Sequence, residues 1–384
     1  MKHTKHFRDV YNGKTVLVTG HTGFKGSWLV TWLELLGAKV IGFSLEEAPT
    51  TPSNFGLSHL KDKMIDIRGD VRNYTSVEET IKKYKPEIVF HLAGQPIVLR
   101  AYEEPKLTFE TNALGTLNVL EAIKNTDSVQ AAVFITTDKV YKNKEWVWGY
   151  REEDTLGDED PYSASKACAE LVIHSYRASF FSGERFHKKN VAIASTRAGN
   201  VVGGGDFADF RLVPDCAKAL MNSEPIGLRN PNSTRPWQNV LEPLSGYLWL
   251  GANLFLEPNS GFARAFNFGP MESHGVPVKD IVNTMIEYWG SGEMQDLSDP
   301  TAKKVESNLL MLDWSSARKS LGWQPIYTYK ESLKEIVDWF KEYKKQRDDL
   351  KDNTDIDMYE TCVKQIKNYT DKAEEKKLEW ATEE

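Results

Sequence analysis

The sequence predicts an α/β protein, with a doubly wound parallel sheet of the Rossmann type and a smaller mixed α/β lobe. Two observations predict this class. Apolar strand segments alternate with amphipathic helical segments, and the strands are almost continuously apolar, as strands buried on both faces are. A glycine-rich loop joins the first strand to the first helix. The chain has 384 residues, 40% hydrophobic and 27% charged, which is enough for one large α/β domain and a second lobe.

The glycine-rich loop belongs to a strand–loop–helix–strand unit over residues 14–44. Gly20 allows a tight turn, Gly23 lets the backbone approach a pyrophosphate, and Gly26 lets the helix pack closely on the strand. The helix N-terminus then faces the phosphates. This context predicts a dinucleotide site, whose loop residues are Gly20, Thr22, Gly23, Phe24, Lys25 and Gly26.

The segment after the second strand favours NAD over NADP. No Arg or Lys occurs between Val40 and Leu60, where a 2′-phosphate would need a cation. Glu46 and Glu47 are candidates for the adenosine ribose, but both are equally consistent with solvated loop charges.

Three later segments are also predicted to face the cofactor, because the carboxyl ends of parallel strands meet at one edge of the sheet. The loop at 69–71 suits the adenine, although a structural turn explains it equally well. The loop at 92–96 follows a buried strand, and Asn112 lies near a helix start, where a cap is the structural alternative. The predicted contacts are Asp70, Val71, Leu92, Ala93, Gln95 and Asn112.

The candidate catalytic residues lie between Thr136 and Lys166. Tyr162 and Lys166 are spaced i, i+4, so a helix that starts near Pro161 projects both side chains from one face. A lysine ammonium near a phenol favours the phenolate, so we expect the pKa of Tyr162 to be lowered towards neutrality. Such a tyrosine can take a proton from an alcohol while hydride leaves the same carbon. The residues alone therefore indicate an NAD enzyme that oxidises a secondary alcohol.

Composition argues against several other classes. The net charge of −7 is not that of a general nucleic-acid binder. Three cysteines without a CxxC pair predict a reduced, cytoplasmic protein, and no zinc-ligand spacing or other metal site is evident. No apolar run approaches the ~18 residues of a membrane span, and the N-terminus lacks the apolar core of a signal peptide, so we expect no membrane association.

Longer motifs resemble a known superfamily. The similarity to the extended short-chain dehydrogenases/reductases covers about residues 10–340 and rests on TGHTGFKG, HLAGQP, TTDKVY and YSASK. Within that superfamily the chain most resembles the CDP-D-glucose 4,6-dehydratase family. The stretches that carry this resemblance are GHTGFKGSWL, TTDKVYKNKEWVWGYRE, DPYSASKACAEL, RAGNVVGGGDFADFRLVPD and RPWQNVLEPLSGYL.

The resemblance implies a hydro-lyase of deoxysugar and surface-polysaccharide biosynthesis. It would convert CDP-D-glucose to CDP-4-dehydro-6-deoxy-D-glucose and water, with NAD carrying hydride from C4 to C6. Tyr162 would take the C4 hydroxyl proton, and Thr137 would hydrogen-bond the C4 oxygen. Asp138 would be the acid for the C6 hydroxyl and Lys139 the C5 base or its electrostatic stabiliser. Without the resemblance, Asp138 and Lys139 would form a plain strand-end turn.

The resemblance also places substrate contacts in the second half of the chain, at Asn200, Arg211 and Arg235. The Arg235 guanidinium suits a diphosphate because it can donate in bidentate fashion, although a surface arginine at a domain seam is the alternative. Residues 203–205 are three glycines without an obvious following helix, so we expect a flexible substrate loop rather than a second phosphate cradle. Phe207 and Phe210 depart from the family pattern, in which a tryptophan and an acidic residue are expected.

The expected domain division has three parts. Residues 10–190 form the NAD-binding Rossmann domain, which also receives a strand and a helix from about 191–200 and 236–258. Residues 201–344 mainly form the substrate-binding lobe. Residues 345–384 form a charged tail, helical or partly disordered, whose stripe could dock a helix onto the body or a partner. That stripe consists of Met358, Cys362, Ile366 and Tyr369.

Assembly and function leave alternatives open. The helices near Asn112 and Tyr162 resemble the pair through which the superfamily dimerises, so a homodimer is expected, with tetramers undecided. An NAD-dependent nucleotide-sugar 4-epimerase would use the same Tyr162 and Lys166 but would not need Asp138 and Lys139. A non-catalytic NAD-binding protein would not need the intact catalytic residues, and any turnover would exclude it.

Overall fold

The computed structural model of the chain describes residues 5–181, 191–272, 275–298, 309–350 and 356–382. Within these ranges, seven parallel strands form one sheet, as predicted. In chain order the strands are β1 Thr15–Thr19, β2 Lys39–Ser44, β3 Ile65–Arg68, β4 Ile88–His91, β5 Ala131–Ile135, β6 Ala192–Ala198, β7 Asn200–Val202, β8 Ile226–Leu228, β9 Thr234–Arg235, β10 Trp237–Asn239, β11 Ala265–Phe268, β12 Val276–Pro277 and β13 Met294–Asp296.

The helices alternate with these strands. They are α1 Phe24–Leu35, α2 Asn54–Leu57, α3 Tyr74–Tyr84, α4 Val98–Glu103, α5 Pro105–Phe109, α6 Gly115–Lys124, α7 Pro161–Tyr176, α8 Leu212–Asn222, α9 Leu241–Leu256, α10 Val278–Trp289, α11 Ser315–Leu321, α12 Tyr329–Asp349 and α13 Tyr359–Glu375. A π-helical turn, Glu110–Leu114, leads into α6.

Helices cover both faces of the sheet, so the fold is doubly wound as expected. Val16 and Val18 of β1 belong to a core with α1 and α9, whereas Leu17 belongs to a second core with α3 and α6. This alternation follows from the two-residue period of a strand. Because both faces are buried, β4 and β5 are almost entirely apolar, and β1 has an apolar centre between two threonines.

The strand order places the candidate site. The order is β11-β6-β5-β4-β1-β2-β3, so the chain winds outward in opposite directions on either side of the β1–β4 pair. Such a switch point opens a crevice at the carboxyl ends of the strands. Thr19 is in register with Phe43 of β2 and His91 of β4, and the loops that follow β1 and β4 therefore lie side by side.

The second half of the chain contributes to both parts of the molecule. Helix α9, which lies within residues 236–258, packs on β5 and β6. Strand β11 completes the main sheet by pairing with β6, although its residues fall in the range expected to form mainly the smaller lobe. The remaining short strands pair as β7–β10, β9–β12 and β8–β13 beside α8, α10 and α12.

The C-terminal helix docks onto the body of the chain. All four residues of the predicted stripe are buried, and α13 packs on α1 and α12. Beyond the helix, Trp380 stacks on Phe7 with ring centroids 4.9 Å apart. Of the two alternatives expected for the tail, helical or partly disordered, residues 356–382 adopt the helical one, and Leu378 and Trp380 bury further apolar surface after α13. Residues 351–355 and 383–384 lie outside the described residues.

The predicted flexible loop at 203–205 is instead clamped and buried. Trp28 Nε1 of α1 donates to Gly204 O at 2.9 Å, and a Cβ at Gly204 would overlap the Trp339 ring of α12. Gly205 has φ +76° and its Cβ would lie 2.6 Å from Asn54 Cβ. The glycines are needed because the backbone passes between α1, α2 and α12 with no room for side chains.

A search of the described helices finds none that is both long and apolar enough to cross a membrane.

Candidate active site

The glycine-rich loop forms a cradle at the end of β1. Gly20 turns with φ +75°, and a Cβ there would lie 2.7 Å from Ala93 N in the loop after β4. A Cβ at Gly26 would overlap the Gly20 carbonyl oxygen. Gly23 is the N-cap of α1, and its extended backbone has no side chain to occupy the helix N-terminus. The loop thus offers backbone N–H groups to an anion at close range, and it fits a pyrophosphate.

The end of β2 is organised by an arginine from β3. Arg68 binds Asp66 through Nε and Nη2 and donates to the carbonyl oxygens of Leu45 and Glu46 at 3.0 and 3.1 Å. Arg68 lies outside the cation-free segment between Val40 and Leu60, because β3 follows that segment. Its guanidinium is already held by protein acceptors. The Glu46 and Glu47 side chains are exposed, as loop charges would be.

The loop at 69–71 is fixed by local contacts. The Asp70 carboxylate accepts from Arg72 Nε at 2.8 Å and from Arg72 N at 2.9 Å, and Val71 is buried. Asn118 Nδ2 of α6 donates to Val71 O at 2.9 Å. These contacts favour the structural-turn interpretation of the Asp70 side chain, and the adenine contact stays a prediction.

Asn112 ties the β4 loop to the catalytic helix. Its Oδ1 accepts from Gln95 N at 2.8 Å, while its Nδ2 donates to Gln95 O at 3.1 Å and to Ser165 Oγ at 2.9 Å. The side chain is fully buried in the π-helical turn and does not cap α6. Asn112 therefore holds the backbone that runs from Leu92 to Gln95 beside the glycine cradle.

The predicted catalytic residues converge at the carboxyl end of β5. Helix α7 begins at Pro161, as expected, and Asp160 caps it by accepting from Ser163 N at 2.9 Å. The side chains of Tyr162 and Lys166 are buried on one face of this helix, against Thr137 and Asp138.

The expected lowering of the Tyr162 pKa is wrong in this structure. Burial raises the pKa of Tyr162 to about 12; the Thr137 hydroxyl lowers it and the Asp138 charge raises it further. The Lys166 Nζ donates to Ile135 O at 3.4 Å, and burial lowers its own pKa to about 8. The i, i+4 spacing predicted the neighbours correctly, but it carries no information on desolvation.

Asp138 is a buried carboxyl with one free oxygen. Its Oδ1 accepts from Thr137 Oγ1 at 2.9 Å, whereas Oδ2 is buried without a hydrogen bond to any described residue. Burial raises its pKa, and the Lys139 charge and the Thr137 hydrogen bond only partly oppose this. A carboxyl in this environment favours its protonated form. Lys139 is half-buried, and no described side chain or backbone group accepts a hydrogen bond from its ammonium.

Cations line the crevice opposite this carboxyl. Lys25 lies near Lys166, Arg211 and Asp138; burial and then the two cations lower its pKa to about 8, while Asp138 acts in the opposite direction. Arg211 pairs with Asp206 Oδ2 at 3.0 Å, and its charge also lowers the Tyr162 pKa. The structure thus places Lys25 close to the catalytic residues as well as in the cofactor loop.

The other predicted substrate residues lie on the small β-pairs. Asn200 of β7 is paired with Trp237 of β10, and Arg235 two residues earlier is paired with Val276 of β12. Arg235 Nη1 donates to Thr234 O at 2.9 Å. Both predicted side chains are half-buried.

The two departures from the family pattern have different surroundings. Phe207 is buried edge-on against an aromatic cluster of α12 that consists of Trp339, Phe340 and Tyr343. Phe210 is 70% exposed and has φ +63°, next to Arg211. Phe207 therefore fills the core of the smaller lobe.

Sequence reasoning missed two buried charges beneath the site. Glu170 of α7 and Arg197 of β6 form an ion pair at 2.8 Å, with both side chains almost fully buried. The spacing in the sequence could have indicated Glu170. It lies four residues after Lys166 and eight after Tyr162, and therefore on the same face of the helix. Among the described residues, no group of three His, Cys, Asp or Glu side chains is placed to hold a metal ion.

Comparisons with known proteins place this geometry in a family. The family model for GDP-mannose 4,6 dehydratase matches residues 17–251. A CDP-glucose 4,6-dehydratase from Salmonella typhimurium is 46% identical over 343 residues, which cover 89% of this chain and 95% of the relative. The chain belongs to the nucleotide-sugar 4,6-dehydratase family. This membership confirms the predicted place in the extended short-chain dehydrogenase/reductase superfamily.

Solved structures agree on the fold of this dehydratase family. An epimerase, Mth375, from Methanothermobacter thermautotrophicus has a TM-score of 0.75 at 21% identity and covers 91% of this chain and 99% of its own. A dTDP-glucose 4,6-dehydratase from Bacillus anthracis in complex with NAD has a TM-score of 0.69 at 21% identity and covers 86% of this chain and 97% of its own. At these identities the likeness shows the Rossmann-like fold alone.

Proposed function

We propose that this chain is a hydro-lyase that converts CDP-D-glucose to CDP-4-dehydro-6-deoxy-D-glucose and water, with NAD as its resident cofactor. The observation that carries the proposal is the buried Asp138 carboxyl beside Tyr162, with one oxygen unengaged by described residues. A 4-epimerase has no step that needs this acid. The relative at 46% identity, named a CDP-glucose 4,6-dehydratase, supports the choice of substrate.

The cradle around Gly20 and Gly26 fits the pyrophosphate of NAD. Bound there, NAD supplies the hydride acceptor for C4 and the hydride donor for C6. The loop after β4, fixed by Asn112, closes the side of the cradle. These contacts within the chain make the cradle rigid, as a cofactor that must stay bound through the whole cycle requires.

Tyr162 and Thr137 act at C4. In the proposed reaction the Tyr162 oxygen takes the C4 hydroxyl proton, and Thr137 hydrogen-bonds the C4 oxygen as it becomes a carbonyl. Because burial raises the pKa of Tyr162, proton transfer needs positive charge close to the phenol. Arg211 already provides part of it, since its charge lowers that pKa.

Asp138 and Lys139 act at C6 and C5. The C4 carbonyl makes the C5 proton acidic, and Lys139 takes it. Asp138 gives its proton to the departing C6 hydroxyl, which leaves as water. Lys139 then returns a proton to C5 as hydride reaches C6. Over the whole reaction Tyr162 gains one proton and Asp138 loses one, so the number of protons on the protein is unchanged. The substrate has lost one water.

The cations of the crevice suit a nucleoside diphosphate. Arg211, Arg235 and Asn200 are proposed to bind the substrate phosphates. All three belong to the segment between β6 and α9, so this part of the chain supplies the substrate-binding lobe in the proposal. We also propose the division of the chain into an NAD-binding domain, a substrate-binding lobe and a C-terminal tail, at residues 10–190, 201–344 and 345–384.

An exposed apolar surface supports the proposed homodimer. Leu99, Tyr102, Leu114 and Leu171 are between 45% and 60% exposed on α4, the π-helical turn and α7. The π-helical turn and α7 belong to the two helical segments predicted to dimerise, α4 lies outside that prediction, and a second copy would bury the apolar side chains of all three. We also propose a cytoplasmic location, which the three cysteines without a CxxC pair support, and neither nucleic acid nor membrane as a partner. The net charge of −7 is unlike that of a general nucleic-acid binder.

The test is to incubate purified protein with CDP-D-glucose and NAD and to measure the product by mass spectrometry. Loss of the mass of one water is expected, and parallel reactions with UDP-glucose and dTDP-glucose should be slower. A product of unchanged mass with inverted C4 would establish the epimerase instead. Absence of any product from the three substrates would contradict catalysis on glucose nucleotides altogether.

A further inference from the structure

A buried carboxylate lies one helical turn beyond Lys166. Glu170 is 3% exposed and accepts three hydrogen bonds: from Thr136 Oγ1 at 2.5 Å, Ser195 Oγ at 2.8 Å and Arg197 Nη2 at 2.8 Å. Although burial alone would raise the pKa of Glu170, the Arg197 charge and these donors lower it. Glu170 is therefore a fixed negative charge in the interior.

Arg197 connects Glu170 to the segment that follows β5. Its Nη1 donates to Tyr141 Oη at 2.8 Å and to Glu152 O at 2.9 Å. Tyr141 in turn donates to Asn267 Oδ1 of β11 at 2.7 Å. One connected network thus joins α7, the end of β5, β6, β11 and the segment after Tyr141.

Proposed site residues lie close in sequence to the members of this network on β5 and β6. Thr136 immediately precedes Thr137 and Asp138, and Arg197 lies three residues before Asn200 on the next strand. A buried ion pair is weak as a stabilising device, because desolvation offsets most of its attraction. Its position under the site indicates a role in alignment and electrostatics.

Burial lowers the pKa of Lys166, and the Glu170 charge raises it. The other groups that face Lys166 do not help. Lys25 of α1 repels it, and His91 of β4 is neutral because burial and then the Lys166 charge lower its pKa to about 3. Asp138 lies across the crevice, where burial raises its pKa and so disfavours its charged form.

We propose that Glu170, held in place by Arg197, is a positioning residue that keeps Lys166 protonated beneath the Tyr162 phenol and fixes the turn from Thr136 to Asp138. This inference rests on the proposed function, because it assigns Glu170 a task in proton transfer at C4. Glu170 acts through Lys166 and the turn, and it contacts neither substrate nor cofactor in this assignment.

The test uses variants that separate charge from folding. Glu170→Gln alone leaves Arg197 buried without its partner and is expected to destabilise the protein. The double variant Glu170→Gln with Arg197→Met removes both charges, so its Tm should stay within a few degrees of the parent. We expect its kcat at neutral pH to fall about tenfold or more with little change in KM, as for an interaction made mainly in the transition state.

The pH profile distinguishes positioning from a merely structural role. Without the Glu170 charge, Lys166 loses its proton at lower pH, so the alkaline limb of kcat should move down by about one pH unit. Glu170→Asp should restore part of the shift. Glu242→Gln, which removes a buried carboxyl on α9 that accepts from Ile326, Tyr327 and Tyr369, is the matched control and should leave the limb in place. An unmoved limb in a folded double variant would overturn the proposal.

A second measurement does not depend on turnover. In protein with ¹³C-labelled lysines, the Cε resonance that disappears in Lys166→Arg belongs to Lys166, and its titration reports protonation directly. We expect this titration to move to lower pH in the double variant by the same about one unit. A parent protein without activity would refute the proposed function, whereas an unchanged titration would refute the role of Glu170.

Discussion

The single residue that most restricts the chemistry is Asp138. A carboxyl at a strand end is usually solvated and ionised, but this one is 3% exposed and its pKa is raised by burial. The raised pKa favours the protonated form of an acid that faces a basic crevice, compared with an ordinary aspartate. Two carboxyl environments, one at Asp138 whose pKa burial raises and one at Glu170 whose pKa Arg197 and the hydroxyl donors lower, therefore suit an acid and a fixed negative charge respectively.

Replacing Asp138 by asparagine should separate the two halves of the reaction. The amide of the Asp138→Asn variant cannot give a proton to the C6 hydroxyl, so overall kcat should fall by about 10² to 10⁴. Oxidation at C4 does not use this proton, and the absorbance of reduced nicotinamide should rise on adding CDP-D-glucose. Asp209→Asn, at an exposed carboxylate, is the control. Undiminished loss of water by Asp138→Asn would assign the acid to another residue.

Individual residues also show what spacing in the sequence can predict. The spacing of Tyr162 and Lys166, together with the stretch that follows β5, was sufficient to bring all the proposed catalytic residues to one strand end. It could not predict the direction of the Tyr162 pKa shift, because that depends on desolvation by elements far away in sequence. Glu170 was missed because no sequence rule connects it to Arg197 of β6.

At the scale of elements, the smaller lobe is joined to the glycine cradle by tightly packed backbone. Residues 203–205 pass between α1 and α12, where Trp28 holds the Gly204 carbonyl. Trp339 behind Gly204 donates to Cys362 Sγ of α13 at 3.4 Å. Helices α12 and α13 thus support the segment that connects Asn200 to Arg211.

Adding one methyl group at Gly204 should disrupt this packing. Gly204→Ala places a Cβ into the Trp339 ring, and overpacking of this kind costs about 1–3 kcal/mol. We expect a lower Tm by calorimetry and a raised KM for CDP-D-glucose, because the flanking substrate residues move with the loop. Gly56→Ala is the control, since the nearest atom to its Cβ would be 3.4 Å away. Equal Tm values for the two variants would contradict the tight packing.

The junction of α9 and α13 should make stability depend on pH. Burial raises the pKa of Glu242 to about 7, although it accepts from the backbone N–H groups of Ile326 and Tyr327 and from Tyr369 Oη. A folded-state pKa above the unfolded value of 4.5 means that stability is fully present below pH ~4.5 and is lost as pH rises through ~7. The loss is about 3 kcal/mol at 1.36 kcal/mol per pH unit.

Melting curves between pH 5 and 8 test this expectation. The parent should lose Tm over that range, whereas Glu242→Gln should show a flatter profile because its side chain does not titrate. Glu257→Gln, at a half-exposed surface carboxylate, should behave like the parent. Parallel profiles for the parent and Glu242→Gln would place the titrating group elsewhere.

At the scale of the whole molecule, the order of the sheet follows from the alternation of strand and helix segments. Two parts of the arrangement could not be predicted in that way. Strand β11 is short and follows a long excursion into the smaller lobe, so its return to β6 depends on tertiary packing. The charged surface of α13 resembles a solvated tail, and only its buried face, matched to α1, determines where it docks.

The exposed apolar surface on α4 and α7 predicts the state of assembly. Leu171 is 60% exposed on α7, and replacing it by Glu would place a charge in the proposed dimer seam. Light scattering should show a dimer for the parent and a monomer for Leu171→Glu. Leu297→Glu, at a 50% exposed leucine of the smaller lobe, is the control and should remain dimeric. A monomeric parent would contradict the homodimer.

The late position of α13 in the chain has a consequence for biosynthesis. Trp380 covers Phe7 and stacks on Tyr369, while Tyr369 packs edge-on to Trp32 of α1. A ribosome releases Phe7 and Trp32 more than 300 residues before their aromatic partners. During translation Phe7 and Trp32 can pack on each other, but the ring surface that Trp380 and Tyr369 cover stays exposed until the last helix emerges, and exposed apolar surface of this kind favours aggregation.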